Sequence, residues 1–241
     1  MIPFNTRFLA SVSTPEEADL VGRHGADIVD LKDPAAGALG AVDITQIARI
    51  VMQQRTRYPH RLISATIGDV PLQPPVVSEA IRVTAATGVD IVKIGWFATS
   101  FDSNMLPVLQ EAAGRDIRLV VVLFAEYGMQ SAYLPALAAA GVHGVMLDTA
   151  DKAGGSLRDR LADAELADFL ESARRHGLVC GLAGSLRRSD IPPLLELEPD
   201  YLGFRGALCR HSERTAGLDG AAVESVRLLI KSRGITRAHA S

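Results

Sequence analysis

The sequence predicts a single α/β domain over residues 1–241, built as a (β/α)8 TIM barrel. The chain has 241 residues, close to the roughly 250 that are typical of this architecture. Ala-rich amphipathic segments alternate with short β-branched runs, an order that favours parallel strands joined by helices. Eight such runs can be counted, and eight strand–helix units close this kind of barrel.

The predicted strands are short apolar runs separated by helical segments. They lie at residues 8–12, 28–32, 62–68, 91–95, 118–124, 144–149, 179–185 and 201–206. Helical segments end at Gly25, Gly88, Gly141 and Gly177, where the residue after a helix often needs a positive φ. The first helix begins at a capping box, Thr14-Pro15-Glu16-Glu17, with proline in its first turn.

The main alternative architecture is an open, doubly wound sheet. Such sheets often carry a G-x-G-x-x-G turn after the first strand, whereas this chain continues with "SVSTPEE", which contains no glycine. No linker or low-complexity run marks a second domain. Only the segment after about residue 234 is predicted to be loosely ordered.

Composition and charge exclude several classes of function. The formal net charge of −3 and the pI near 6.1 provide no overall basic field for nucleic acid or anionic lipid, although a local basic pocket remains possible. The N-terminus lacks the pattern of a secretory signal, and glycine and proline interrupt the longest uncharged run. Cys180 and Cys209 lie in or beside apolar runs, so buried reduced thiols are expected. We therefore expect a cytoplasmic protein that acts on small molecules, with no nucleic-acid or membrane partner.

Charged residues occur at the ends of several predicted strands. They are Asp30, Lys32, Lys93, Asp148, Lys152 and Arg205. In a TIM barrel the C-terminal strand ends form the mouth of the active site. Side chains alternate along a strand, so Ile28, Asp30 and Lys32 share one face, while Val29 and Leu31 face the helices. The charges of strand two are therefore predicted to point into the barrel.

An inward lysine must form an ion pair, lose its proton or react, because burying an isolated charge is costly. A structural ion pair of Lys32 with Asp30 or Asp148 is one interpretation. A second inward lysine, Lys93, favours another, since like charges and desolvation both lower the pKa of an amine. An uncharged amine can attack a carbonyl, so Schiff-base chemistry is the leading hypothesis.

A phosphate site is predicted after strands seven and eight. The motifs "LAGSL" and "FRGAL" supply small residues with exposed backbone N–H groups where TIM barrels commonly bind phosphate. Gly184, Ser185, Arg205 and Gly206 are the candidates, although a Gly-Ser turn can also be a plain turn. The histidines show no H-x-x-x-H spacing and the cysteines no C-x-x-C spacing, so neither a metal nor another cofactor is predicted. Small inward residues such as Ser11 and Ser64 can contact substrate or simply fill the barrel.

Several motifs together resemble a known family. They are "GADIVDLKDPAAGALGA", "SATIGDVP", "DIVKIG", "MLDTADKAGGSL", "GLAGSL" and "DYLGFRGALC". Across about residues 8 to 209 they resemble the (5-formylfuran-3-yl)methyl phosphate synthase family of methanofuran biosynthesis. The resemblance implies chemistry similar to that of class I aldolases, in which two molecules of glyceraldehyde 3-phosphate condense to a furan aldehyde phosphate with loss of phosphate and water.

The resemblance also assigns roles to the charged residues. It implies that Lys32 forms the Schiff base and that Lys93 accepts a proton, with Asp30, Asp148 and Lys152 at the remaining charged positions. It implies a homo-oligomer as well. The segments "LFAEYGMQSAY" and "RHSERTAGLDG" depart from the family pattern. A sugar-phosphate isomerase and a non-catalytic protein that binds phosphorylated metabolites are the alternative functions.

Overall fold

The computed structural model describes residues 5–128, 130–152 and 154–238, and only the backbone of 232–238. Eight parallel strands close into a barrel in sequence order, with β8 paired to β1. The strands are β1 (Arg7–Val12), β2 (Ile28–Leu31), β3 (Leu62–Thr66), β4 (Ile91–Gly95), β5 (Arg118–Phe124), β6 (Gly144–Asp148), β7 (Val179–Leu182) and β8 (Tyr201–Phe204). The predicted (β/α)8 fold is therefore confirmed.

Helices surround the barrel and connect its strands. They are α1 (Pro15–Arg23), α2 (Ile44–Arg57), α3 (Pro74–Ala85), α4 (Leu106–Gly114), α5 (Leu134–Ala139), α6 (Leu157–Arg160), α7 (Asp163–Arg175), α8 (Ile191–Glu196) and α9 (Gly220–Ala238). The segment predicted to be loose after about 234 overlaps the end of α9, and its last residues, 239–241, lie outside the described part. That expectation stays a prediction.

Some predicted strands extend beyond the observed ones. The runs predicted to end at 68 and 185 stop at Thr66 and Leu182, because Gly68 and Gly184 have φ values of +94° and +101°, which turn the chain out of the sheet. The same conformation ends helices as predicted: Gly25, Gly88 and Gly141 have φ values of +84°, +87° and +79°.

The predicted capping box of α1 forms only in part. Thr14 accepts the backbone N–H of Glu17 at 3.2 Å. The Glu17 carboxylate accepts from the backbone N–H of Ser13 at 2.9 Å instead of from Thr14. In this position Glu17 forms an ion pair with Arg205.

Two apolar layers position the strands. Val29 and Leu31 pack in the outer layer between strands and helices, whereas Ile28 packs in the inner layer of the barrel. The predicted alternation of β2 is thus confirmed. Both cysteines are buried free thiols, as expected.

Two other kinds of site are absent from the described residues. Among them, no helix combines the length and the apolar character needed to cross a membrane. They also contain no group of three His, Cys, Asp or Glu side chains arranged to hold a metal ion. The expected absence of a metal stays a prediction.

Candidate active site

A cavity of about 580 Å³ opens at the C-terminal end of the barrel. Its lining includes seven basic side chains and one carboxylate: Lys32, Lys93, Lys152, Arg187, Arg188, Arg205, Arg214 and Asp148. The chain as a whole carries a formal charge of −3, so positive charge is concentrated in this cavity. Such a concentration favours an anionic ligand.

Asp30 forms an ion pair with Lys93 at the base of the cavity. The register of β1, β2 and β3 places Ser11, Asp30 and Ser64 side by side. The Asp30 carboxylate accepts from Ser11 Oγ at 2.9 Å and from Ser64 Oγ at 2.6 Å. Lys93 Nζ lies 3.0 and 3.1 Å from its two oxygens. The two serines therefore orient Asp30 and do more than fill the barrel.

The second carboxylate, Asp148, forms an ion pair with a different lysine, Lys152. Its Oδ1 lies 2.5 Å from Lys152 Nζ and accepts the backbone N–H of Thr149 at 2.7 Å. Burial alone would raise the pKa of Asp148, but Lys152 and then Lys32 bring it below its usual value. Asp30 behaves in the same way, with Lys93 and then Lys32 opposing the effect of burial on its pKa. Both carboxylates are therefore ionised.

Lys32 is the buried lysine with the weakest ion pair. Its side chain is 8% exposed, and its closest carboxylate oxygen is Asp148 Oδ2 at 4.0 Å. Desolvation is the main cause that lowers the pKa of Lys32 to about 8. Asp148 partly offsets this effect, whereas Lys152 and then Lys93 add to it. A pKa lowered in this way leaves a much larger share of the Lys32 amine neutral near neutral pH than an ordinary lysine has.

The geometry refines the two interpretations of Lys32. A structural ion pair with Asp30 does not form, since Lys93 occupies that carboxylate, and the contact with Asp148 is long. The lowering of the pKa by a neighbouring lysine is present, but desolvation and Lys152 contribute more than Lys93. Lys32 is thus a desolvated amine with no close counter-ion among the described residues.

Backbone groups after β7 and β8 form a candidate phosphate cradle. Gly184, Ser185, Gly206 and Ala207 all line the cavity. Among the described residues, none accepts a hydrogen bond from the backbone N–H of these four. Ser185 has a φ of +47°, an uncommon conformation for a residue other than glycine. Its Oγ donates to the Lys152 carbonyl at 3.2 Å, which ties the cradle to the Lys152 loop.

Gly184→Ala is expected to raise the KM for a phosphorylated substrate at least ~10-fold and to cost about 1–3 kcal/mol of stability. A Cβ at this position would lie 2.8 Å from Thr149 Cγ2 and 2.9 Å from its backbone N, at a φ of +101°. Gly177→Ala is the matched control, because Gly177 also has a positive φ, +69°, but no atom within 4 Å of the added Cβ. Steady-state kinetics and urea unfolding of both variants test this. Equal KM values for both would contradict the cradle.

Arg205 reaches the cavity, but its guanidinium is engaged within the protein. It forms an ion pair with Glu17 at 2.6 Å. Its remaining N–H groups donate to the carbonyls of Ser11, Arg214 and Ala216. These contacts use all five N–H groups of an arginine, so they favour a role in holding the loop after β8 over the predicted contact with phosphate.

Sequence reasoning missed three basic residues of the cavity. Arg187 and Arg188 follow the cradle, and Arg214 lies in the loop after β8. Loops lack the periodicity that indicates which way a side chain points. The one signal in the sequence is their position after strands seven and eight, where TIM barrels commonly bind phosphate.

Comparisons with known proteins point to one family. A family model described as 4HFCP_synth, 4-HFC-P synthase, matches residues 8–227. The (5-formylfuran-3-yl)methyl phosphate synthase of Methanopyrus kandleri is 36% identical over 225 residues, which cover 88% of this chain and 92% of the relative. The protein of the same name from Methanothermobacter thermautotrophicus is 34% identical over 236 residues, covering 93% and 98%. A Methylorubrum extorquens protein, which bears this name provisionally, is 44% identical over 225 residues, 92% of each chain.

Solved structures share the fold at low sequence identity. A 3-hexulose-6-phosphate synthase superposes with a TM-score of 0.66 at 17% identity, covering 93% of this chain and 99% of the other. A phosphoribosyl anthranilate isomerase from Thermus thermophilus also has a TM-score of 0.66, at 14% identity, covering 95% and 100%. These similarities concern the barrel alone.

Proposed function

Since the chain belongs to the 4-HFC-P synthase family, we propose that it joins two molecules of glyceraldehyde 3-phosphate through an imine on Lys32. The product is the furan aldehyde phosphate of methanofuran biosynthesis for which its relatives are named. The observation that carries the proposal is the state of the three cavity lysines. Lys93 and Lys152 each hold a carboxylate at short range, whereas Lys32 is buried with a depressed pKa and no such partner.

The first step is attack of the neutral Lys32 amine on the carbonyl carbon of one triose phosphate. The resulting carbinolamine loses its hydroxyl as water and becomes an iminium ion. Lys93, held as an ammonium by Asp30, supplies the proton that this hydroxyl needs. That transfer leaves Lys93 as a neutral amine next to the new iminium.

Lys93 then takes the role of base. It removes a proton from the carbon next to the iminium, and the electron pair of that C–H bond moves toward nitrogen to form an enamine. The ion pair with Asp30 means that Lys93 is a proton donor in the resting enzyme and a proton acceptor only after the dehydration. Proton transfers of this kind typically contribute ~10²- to 10⁴-fold in rate.

The enamine expels the phosphate from the next carbon of the same triose, and this phosphate leaves with the electrons of its C–O bond. The carbon that lost the phosphate is the nucleophilic carbon of the resulting enol, and it attacks the carbonyl carbon of the second triose phosphate, which a proton shift from C2 to C1 has converted to its ketone isomer. The C1 hydroxyl of the second triose then closes the ring on C2 of the first, and loss of two waters gives the furan. Hydrolysis of the imine releases the aldehyde and returns Lys32. Two triose phosphates minus one phosphoric acid and two waters equal the furan aldehyde phosphate, so the sequence needs no oxidant or reductant. The cradle at Gly184, Ser185 and Gly206 holds one phosphate, and Lys152 orients Asp148.

Ultraviolet spectroscopy tests the proposal. Mixing the protein with glyceraldehyde 3-phosphate is expected to produce the absorbance of a furan aldehyde, with release of inorganic phosphate. Because Lys32 must be neutral to react, kcat/KM is expected to fall about tenfold per pH unit below pH 8 and to level off above it. A sugar-phosphate isomerase would interconvert trioses without forming a furan, and a binding protein would leave the substrate unchanged. Either result would refute the proposal.

A further inference from the structure

The geometry points to a second phosphate subsite, in which Arg214 binds the phosphate of the second triose phosphate. This inference rests on the proposed function, which requires two phosphorylated substrates in one cavity. The cradle after β7 and β8 accounts for one phosphate only. The phosphate of the other substrate must therefore bind to positive charge elsewhere in the cavity.

Most cations of the cavity are already neutralised by a carboxylate. Lys93 pairs with Asp30, Lys152 with Asp148, and Arg205 with Glu17. Arg187 pairs with Asp159 at 2.6 Å. Among the described residues, no carboxylate lies within ion-pair distance of Arg214 or Arg188. Arg188 is exposed, whereas Arg214 is half-buried.

Arg214 is held in the wall of the cavity that Lys32 also lines. It lies in the loop after β8, and its guanidinium donates to the carbonyl of Gly37 at 3.0 Å. Gly37 belongs to the loop that begins directly after Lys32. Arg214 therefore spans the mouth from β8 to β2, while the cradle occupies the β7–β8 side. Its Nε and the rest of its N–H groups have no acceptor among the described residues, so they are available to a ligand.

The charge balance around Arg214 also favours a dianionic ligand. Burial lowers the pKa of Arg214, and the attraction of Asp148 partly offsets that effect. Asp148 is also the carboxylate closest to Lys32. Arg214 and Lys32 therefore both interact electrostatically with Asp148. A half-buried guanidinium without a counter-ion is stabilised by a phosphate, whose oxygens match its planar array of donors. A substrate held there would share the cavity with the triose bound to Lys32.

Arg214→Gln is the test, and Arg210→Gln is the matched control. Arg210 lies in the same loop but is exposed and does not line the cavity. We expect Arg214→Gln to raise the KM for glyceraldehyde 3-phosphate roughly 10- to 100-fold, with a smaller change in kcat. Arg214→Lys, which keeps the charge, should recover part of the loss. Borohydride trapping of the first substrate on Lys32 should be unchanged.

Binding of inorganic phosphate separates a ligand role from a structural one. Calorimetric titration should find two phosphate sites per chain in the wild type and in Arg210→Gln, and one in Arg214→Gln. Two sites in folded Arg214→Gln, or kinetics equal to those of Arg210→Gln, would overturn the inference. If the wild type neither forms a furan nor traps substrate on Lys32, the proposed function fails. The phosphate titration then still decides whether Arg214 is a phosphate ligand.

Discussion

Lys32→Met is expected to reduce furan formation by at least ~10³-fold, because it removes the only atom proposed to bond covalently to substrate. The same substitution is expected to stabilise the fold at pH 7. A pKa lowered from 10.5 to about 8 corresponds to a cost of about 3 kcal/mol for holding the ammonium in the folded protein. Methionine fills a similar volume without that charge.

The pH dependence of this stabilisation has a defined sign. The folded pKa lies below the unfolded one, so the cost is fully present below pH 8 and disappears as the pH rises through 10.5. Urea unfolding of both proteins across this range measures it, and Lys231→Met on α9 is the control because Lys231 is exposed. If Lys32→Met were less stable than the wild type at pH 7, Lys32 would be a structural ion-pair partner and not a desolvated nucleophile.

Lys93→Met is expected to have the opposite effect on stability. Asp30 is fully buried, and Lys93 is its only ion-pair partner within 4.0 Å among the described residues. Removing one member of a buried pair typically costs about 3–5 kcal/mol, since the remaining charge is left uncompensated. The folded fraction should still form the imine with substrate, although slowly, and should release very little furan because the base is gone.

A double variant provides the control for this second prediction. Replacing Asp30 with asparagine in the Lys93→Met background removes the stranded carboxylate and should recover part of the lost stability. Chemical unfolding measures the recovery, and furan absorbance measures the activity, which should stay low. Wild-type turnover in Lys93→Met would exclude Lys93 from the proton transfers.

Short-range sequence patterns are sufficient to predict the fold and the family. Alternation along β2 placed Asp30 and Lys32 correctly on the inner face, because side-chain direction in a strand has a period of two. The C-terminal strand ends brought Lys32, Lys93 and Asp148 into one cavity, because parallel strands of a barrel share one mouth. The family inferred from the motifs is also confirmed by relatives at 34–44% identity.

The pairing of charges was beyond sequence reasoning. Asp30 and Lys93 are separated by 63 residues, and Arg205 and Glu17 by 188. Each of these charged residues has several partners of opposite charge in the sequence. Strand register and the path of the loops decide which of them come into contact. Arg205 was therefore predicted to bind phosphate, whereas its donors are used by Glu17 and backbone carbonyls. Arg214 was missed because its loop has no repeating pattern.

Imine formation on Lys32 is tested most directly by identifying the lysine that bonds to substrate. The protein would be incubated with glyceraldehyde 3-phosphate, reduced with borohydride, digested and mapped by mass spectrometry. The chain has only four lysines, Lys32, Lys93, Lys152 and Lys231, so the assignment is unambiguous. We expect a substrate adduct on Lys32 in the wild type and none in Lys32→Met. An adduct on Lys93 or Lys152, or no adduct while furan is formed, would contradict it.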